Sequence, residues 1–223
     1  MTRMWKFAVG IVAIALFTGC TSPAPQETHD GLVLQPDSKF QQVYLLPDAD
    51  LSSYTAFGLT DCSVAFRKNW LRDQNNSRMD LTRRVTQEDV DKIKDSLGEE
   101  CTRFFRQSLQ EAPPYNLVDE FDNGEAVLIL RPAIINLDIN APDTMSPGIN
   151  RTYTTSTGEM TLSLELFDGT TGQVLARIVD RRRAPDMGRL QWTNGVTNKA
   201  EANRTLKRWA DNLREGLDRA TGR

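Results

Sequence analysis

The chain has one histidine, three cysteines and no excess of positive charge, and each shortage removes a class of function. A serine or cysteine nucleophile needs a base held in place. The single histidine, His29, falls in a polar, proline-spaced stretch, so no hydrolytic triad can be assembled around it. Zinc asks for clustered thiols or imidazoles, whereas Cys20, Cys62 and Cys101 are isolated and no Cys-x-x-Cys or histidine pair occurs. No GxxxxGK phosphate loop is present. With 27 Lys and Arg against 30 Asp and Glu, the chain lacks the basic excess that displaces counterions from a phosphate backbone. No metal, cofactor or nucleic-acid partner is therefore expected. Long apolar runs are missing too: the longest, FAVGIVAIALF at residues 7–17, falls well short of the roughly 20 residues that cross a bilayer.

That short run has a different use. Arg3 and Lys6 precede it without an acid between them, which is the charged-then-apolar order of an export signal. Its end, Leu16-Phe-Thr-Gly-Cys20, resembles the lipobox of bacterial lipoproteins. The resemblance implies cleavage before Cys20 and acylation of its sulfur and of the new amino group. Several acyl chains, at about 0.8 kcal/mol per buried methylene, hold far more firmly than one myristoyl chain. Thr21, where such lipoproteins carry aspartate if retained at the inner membrane, implies the periplasmic face of the Gram-negative outer membrane. Residues 1–19 are thus expected to be a signal peptide. Residues 20–40, with three prolines and few large apolar side chains, form an acylated N-terminus and flexible tether with a reach of roughly 60 Å. Residues 41–223 form a single periplasmic domain, since 39% hydrophobic and 26% charged residues suit one ordinary globular core.

Within that domain the hydrophobic spacing is legible. VYLLP from Val43 and TAFGLTDCSVAF at 55–66 alternate as half-buried strands do; residues 67–85 are polar and broken, a loop with a short helical piece. Thr86 and Asp89 have capping-box spacing. Beyond them Val90, Ile93, Leu97, Cys101, Phe104, Phe105 and Leu109 make one helical stripe, ended by Pro113-Pro114. YNLV and then AVLILRPAIINLDIN at 126–140 are strands, with a bulge or bend expected at Pro132. Met160, Leu162, Leu164 and Leu166 alternate with Thr161, Ser163 and Glu165, and the DGTTG turn at 168–172 returns the chain as an antiparallel partner. Asn198 and Glu201 are expected to cap a last helix with stripe Ala202, Leu206, Trp209, Leu213 and Leu217. The sum is an α+β fold: a mostly antiparallel mixed sheet with two amphipathic helices packed on one face, a two-layer sandwich.

Four stretches carry a second resemblance: AFRKNWLRD at 65–73, INAPDTMSPG at 139–148, the run from Arg151 to Ala202, and RWADNLREGL at 208–217. They resemble the bacterial lipoproteins grouped as domain of unknown function 3313, which implies an envelope address and no reaction.

Candidate chemistry remains sparse, and no catalytic residue is assigned. Asp138, Asp143, Glu159 and Asp168 are close in sequence and could supply paired acids, but Asp143 and Asp168 sit in turn contexts. Glu159 can instead meet Arg177 or Arg181 across strands. Arg181, Arg182 and Arg183 offer a guanidinium patch for a carboxylate or phosphate, unless alternation sends one inward to Asp180. Asp143 and Trp192, in loops, complete the candidate ligand or partner surface, while Trp209 belongs to the core. Cys62 and Cys101 can bridge in an oxidising compartment or simply pack as small apolar groups. The leading expectation is a lipid-anchored, non-catalytic binding or envelope-assembly module that meets an envelope protein or peptidoglycan. The alternative is an acid- and arginine-dependent enzyme or binder acting on an anionic envelope carbohydrate.

Overall fold

A computed structural model describes residues 24, 26–76, 84–121, 126–140, 142, 152–154, 158–184, 191–193 and 195–223. Cys20, Asp143 and the Asp122–Gly124 turn lie outside these residues. In chain order the elements are β1 (Val33–Leu34), β2 (Gln42–Leu45), a 3-10 turn at Leu51–Ser53, β3 (Ala56–Leu59), β4 (Ser63–Phe66), α1 (Trp70–Asn76), α2 (Gln87–Gln110), β5 (Leu117–Val118), β6 (Val127–Ile139), β7 (Thr152–Thr154), β8 (Gly158–Asp168), β9 (Val174–Arg183), β10 (Gln191–Thr193) and α3 (Gly195–Thr221). Eight strands form one sheet in the order β1-β2-β9-β8-β6-β3-β5, with β4 also on β6; β7 and β10 make a separate antiparallel pair. Pairings of β3 and β4 with β6, and of β3 with β5, are parallel, and the others are antiparallel. The fold is α+β with a mostly antiparallel mixed sheet.

The β8–β9 hairpin shows why. Met160, Leu162, Leu164 and Leu166 are buried, and their register partners on β9 from Leu162 to Leu166 are Asp180, Ile178 and Ala176, which are buried too. The Asp168 carboxylate closes the turn by accepting from the backbone N–H groups of Thr170 and Thr171 at 3.0 and 2.6 Å, and Tyr54 donates its hydroxyl to the same group. Burial and the Asp168 carboxylate push the Tyr54 phenol up to about 12.

Pro132 does not cause the expected bulge. Its ladder with Leu164 is continuous, and the register shift falls later, between Ile135 and Asp138. The reason is positional: β6 pairs with β3 through Leu130 and with β4 from Ala133. The Leu130 carbonyl accepts from Thr60, so by the two-residue alternation of a strand the Pro132 nitrogen faces that gap, where no donor is required. The single strand expected over 55–66 is accordingly two strands, β3 and β4. The break between them is drawn toward α2 by a disulfide joining Cys62 and Cys101, with Cα atoms 5.9 Å apart, and by Thr102 Oγ1 accepting from Cys62 N.

Helix α2 opens on the capping box: Asp89 N donates to Thr86 Oγ1 at 3.1 Å and Thr86 N to Asp89 Oδ2 at 2.8 Å. Thr86→Ala is expected to cost about 1 kcal/mol, read as a fall of about 2–4 °C in thermal midpoint. Its stripe buries Val90, Cys101, Phe105 and Leu109, with Ile93, Leu97 and Phe104 partly buried. Helix α3 buries Leu206, Trp209, Leu213 and Leu217 in the same cluster as the inner residues of β6, β8 and β9. Each such large side chain contributes about 1.5–3 kcal/mol. The α3 start differs from expectation: the helix begins at Gly195, so Asn198 and Glu201 lie inside it. Gly195, Val196 and Thr197 are weak helix formers, and nothing in their chemistry announces an earlier start.

From Gln26 the segment expected to be a flexible tether as far as Phe40 instead folds into a small hairpin that docks on the body. Leu32 is fully buried and Phe40 nearly so, and β1 pairs antiparallel with β2. Average composition hid this, because two well-placed apolar side chains suffice to dock a short segment. His29 remains 90% exposed beside Asp30.

Candidate functional site

Strand alternation divides the arginine run. Arg182 turns to the helix side of β9, and its Nε donates to Asp180 Oδ2 at 2.6 Å. Asp180 is 0% exposed, and it also accepts from Trp209 Nε1 at 2.6 Å and from the Gln41 backbone N–H at 3.0 Å. This carboxylate is a structural centre that ties β9, α3 and the N-terminal segment together. Arg181 and Arg183 turn the other way onto Glu159: Arg181 Nη2 donates to both carboxylate oxygens at 2.7 Å, and Arg183 Nε lies 3.3 Å away. Arg177 is not a Glu159 partner; its guanidinium bridges Glu165 at 2.9 Å and Asp30 at 2.8 Å.

The Arg177 guanidinium, with the Thr28 hydroxyl, holds the Asp30 carboxyl well below its ordinary value of 3.8. Because the folded value is lowered, this stabilisation is complete above the unfolded value of about 3.9 and is lost as pH falls toward the folded one. Hydrogen exchange at residues 28–35, corrected for its intrinsic pH dependence, is expected to accelerate below about pH 4.

Of the paired acids, Asp138 accepts from Arg67 Nε at 2.7 Å, and Arg67 Nη1 donates to Asp73 at 2.7 Å. The bulge before Asp138 adds one residue to β6, which aligns Asp138 with Glu159 on β8. Gly158 permits that approach: its φ is +140°, and a Cβ there would lie 1.9 Å from the Asp138 carbonyl oxygen. Arg67 escaped the sequence reading because it lies in the stretch taken as a loop; its only signal was position, two residues before Asn69 at the entry to α1. Trp70 is buried against Phe66, ring centroids 4.1 Å apart, and donates to the Ile139 carbonyl at 3.2 Å. Trp192 lies on β10 opposite Tyr153 of β7. Asp143, outside the described residues, cannot be placed beside either.

Between the first half of α2, the first half of α3 and the ends of β6, β8 and β9 runs an open groove of about 520 Å³. Ile93, Leu97, Leu137, Met160 and Ala202 give it an apolar floor, and Asp138, Glu159 and Arg183 stand at its strand end. Lys199 of α3 reaches Glu100 of α2 at 3.0 Å across it. Among the described residues no group of three or more His, Cys, Asp or Glu is arranged to hold a metal.

The family model described as "Protein of unknown function (DUF3313)" matches residues 29–213. The chain belongs to this family. The DUF3313 match begins at His29 and so takes in the docked N-terminal segment. No curated protein matches the sequence. Two solved structures, both PelC dodecamers from Paraburkholderia phytofirmans, one of them a variant, are similar at 10% identity, with TM-scores of 0.37 and 0.38. They cover 76% and 77% of this chain and 96% of their own. No helix among the described residues of the DUF3313 protein is long and apolar enough to cross a membrane.

Proposed function

We propose that this protein is a lipid-anchored lipoprotein of the cell envelope, acylated at Cys20 on the periplasmic face of the outer membrane, and that its domain is a non-catalytic binding or assembly module. The observation that supports the binding role is the state of its polar groups. The acids and arginines that could do chemistry are bonded to one another, Asp138 to Arg67 and Glu159 to Arg181 and Arg183, while the apolar-floored groove beside them stays open. A partner that supplies apolar surface can occupy the groove without breaking these ion pairs. An envelope protein or a peptidoglycan peptide fits such a groove.

The test has two arms. Labelled palmitate is incorporated by the native protein and not by Cys20→Ser, which leaves the membrane fraction. A photo-crosslinking residue at Leu97 or Ala202 yields a covalent adduct with an envelope component in intact cells. A protein recovered only as the bare monomer from every crosslinking position sinks the binding role.

One observation favours the second reading, an acid- and arginine-dependent site for an anionic envelope carbohydrate: Asp138 and Glu159 are register partners beside Arg183. In that reading Asp138→Asn with Glu159→Gln abolishes glycan turnover or binding, whereas in the first it leaves the crosslinked adduct unchanged.

A further inference from the structure

From Cys20 to Gln26 the chain has six steps, at most about 20 Å of extended backbone. At Gln26 it enters a small hairpin closed within residues 26–34, which β1 joins to β2. Leu34 N donates to the Gln26 carbonyl, Thr28 N to the Leu32 carbonyl, and Gln35 N to the Val43 carbonyl, at 2.9, 2.9 and 2.7 Å. Leu32 is buried, Asp30 is held by Arg177, and Lys39 pairs with Glu215 of α3. The segment is therefore fastened to β2, β9 and α3 along its length. A head-group layer is about 5–8 Å thick, so about 12–15 Å of reach is left between the lipid and Gln26.

We propose that residues 26–40 are a strap whose docking holds the β1–β2 edge of the body against the membrane surface. The proposal rests on the acyl anchor at Cys20. Undocked, the same residues would let the body stand roughly 60 Å away; docked, they fix which edge meets the lipid. The character of that edge agrees with a head-group layer as its neighbour. Glu27 and His29 are exposed, and Val33 is the large apolar side chain with substantial exposure there, at 38%, so the edge can rest on polar head groups without inserting.

The experiment uses the acylated full chain in phosphatidylethanolamine and phosphatidylglycerol vesicles that carry an acceptor dye on the head groups. A donor dye is placed at Gln173→Cys, exposed in the β8–β9 turn near β2. Strong energy transfer is expected from the otherwise native protein. The double variant Asp30→Ala, Leu32→Ser should lose most of it, together with the hydrogen-exchange protection of residues 28–35. Because that variant also weakens the fold, a second one inserts a long Gly-Ser linker between Ser22 and Pro23, leaving the sequence of residues 26–40 unchanged, and should lose the same transfer. Weak transfer from a vesicle-bound native protein, equal to that of the linker variant, overturns the strap while leaving the anchor intact. A native acylated protein that does not float with the vesicles overturns the anchor and the strap together.

Discussion

Asp180→Ala lowers the stability of the domain by about 3 kcal/mol, a fall in thermal midpoint of about 6–12 °C for a chain of this size. The carboxylate sits at 0% exposure with three donors converging on it, from Arg182, Trp209 and Gln41. Truncation leaves the Trp209 indole N–H buried with no acceptor, and it leaves Arg182 facing the helix layer without its counter-charge. Asp180→Asn discriminates charge from shape. It keeps the volume but offers one acceptor oxygen where the native group offers two, so it should recover only part of the loss. Urea denaturation at neutral pH measures both, and an alanine variant as stable as the native protein would remove Asp180 as the centre of the fold.

Arg214→Ala has an effect of similar size for a different reason. Arg214 is 8% exposed and lies at the junction of α3 with the C-terminal end of α2. Its Nη1 donates to the carbonyls of Ser108 and Glu111 at 3.1 Å each, its Nη2 to the Pro113 carbonyl at 2.5 Å, and its Nε to Asp218 at 3.0 Å. The last carbonyls of a helix have no partner within it, and the negative end of the helix dipole favours a cation there. Removing the guanidinium takes the charged donor from these carbonyls at once and leaves Asp218 with the Tyr115 hydroxyl as its remaining donor, for a loss of about 3 kcal/mol. Arg214→Lys should be nearly as harmful, because an ammonium cannot span carbonyls that a planar fork reaches at once. A lysine variant of native stability would show that charge alone suffices.

The two positions were not equally legible. Trp209 was readable as core from helical spacing, and the inward turn of one arginine toward Asp180 follows from strand alternation. Little local marks Arg214: it stands beside Leu213 of the apolar stripe with Asp218 one turn on, and the carbonyls it binds lie about a hundred residues earlier in the chain. Asp138 and Glu159 were readable as acids close in sequence, but their alignment depends on a bulge between Ile135 and Asp138 that the proline at 132 wrongly advertised. Arg67 was invisible as the partner of Asp138 because its own segment has no period to place it on a face.

The sequence alone determined the elements whose signals are short-range. These are the capped α2 stripe, the β8–β9 alternation with its Asp168 turn, the α+β class that follows from their order, and the family. Hydrophobic period and turn chemistry act over a few residues, so they survive without a structure. Tertiary packing decided what depends on residues distant in sequence: which guanidinium takes which carboxylate, where β6 passes from β3 to β4, and that residues 26–40 dock. For Arg67 with Asp138, Arg177 with Asp30 and Arg214 with the α2 carbonyls the partner lies dozens of residues away, where a local pattern carries no information about it.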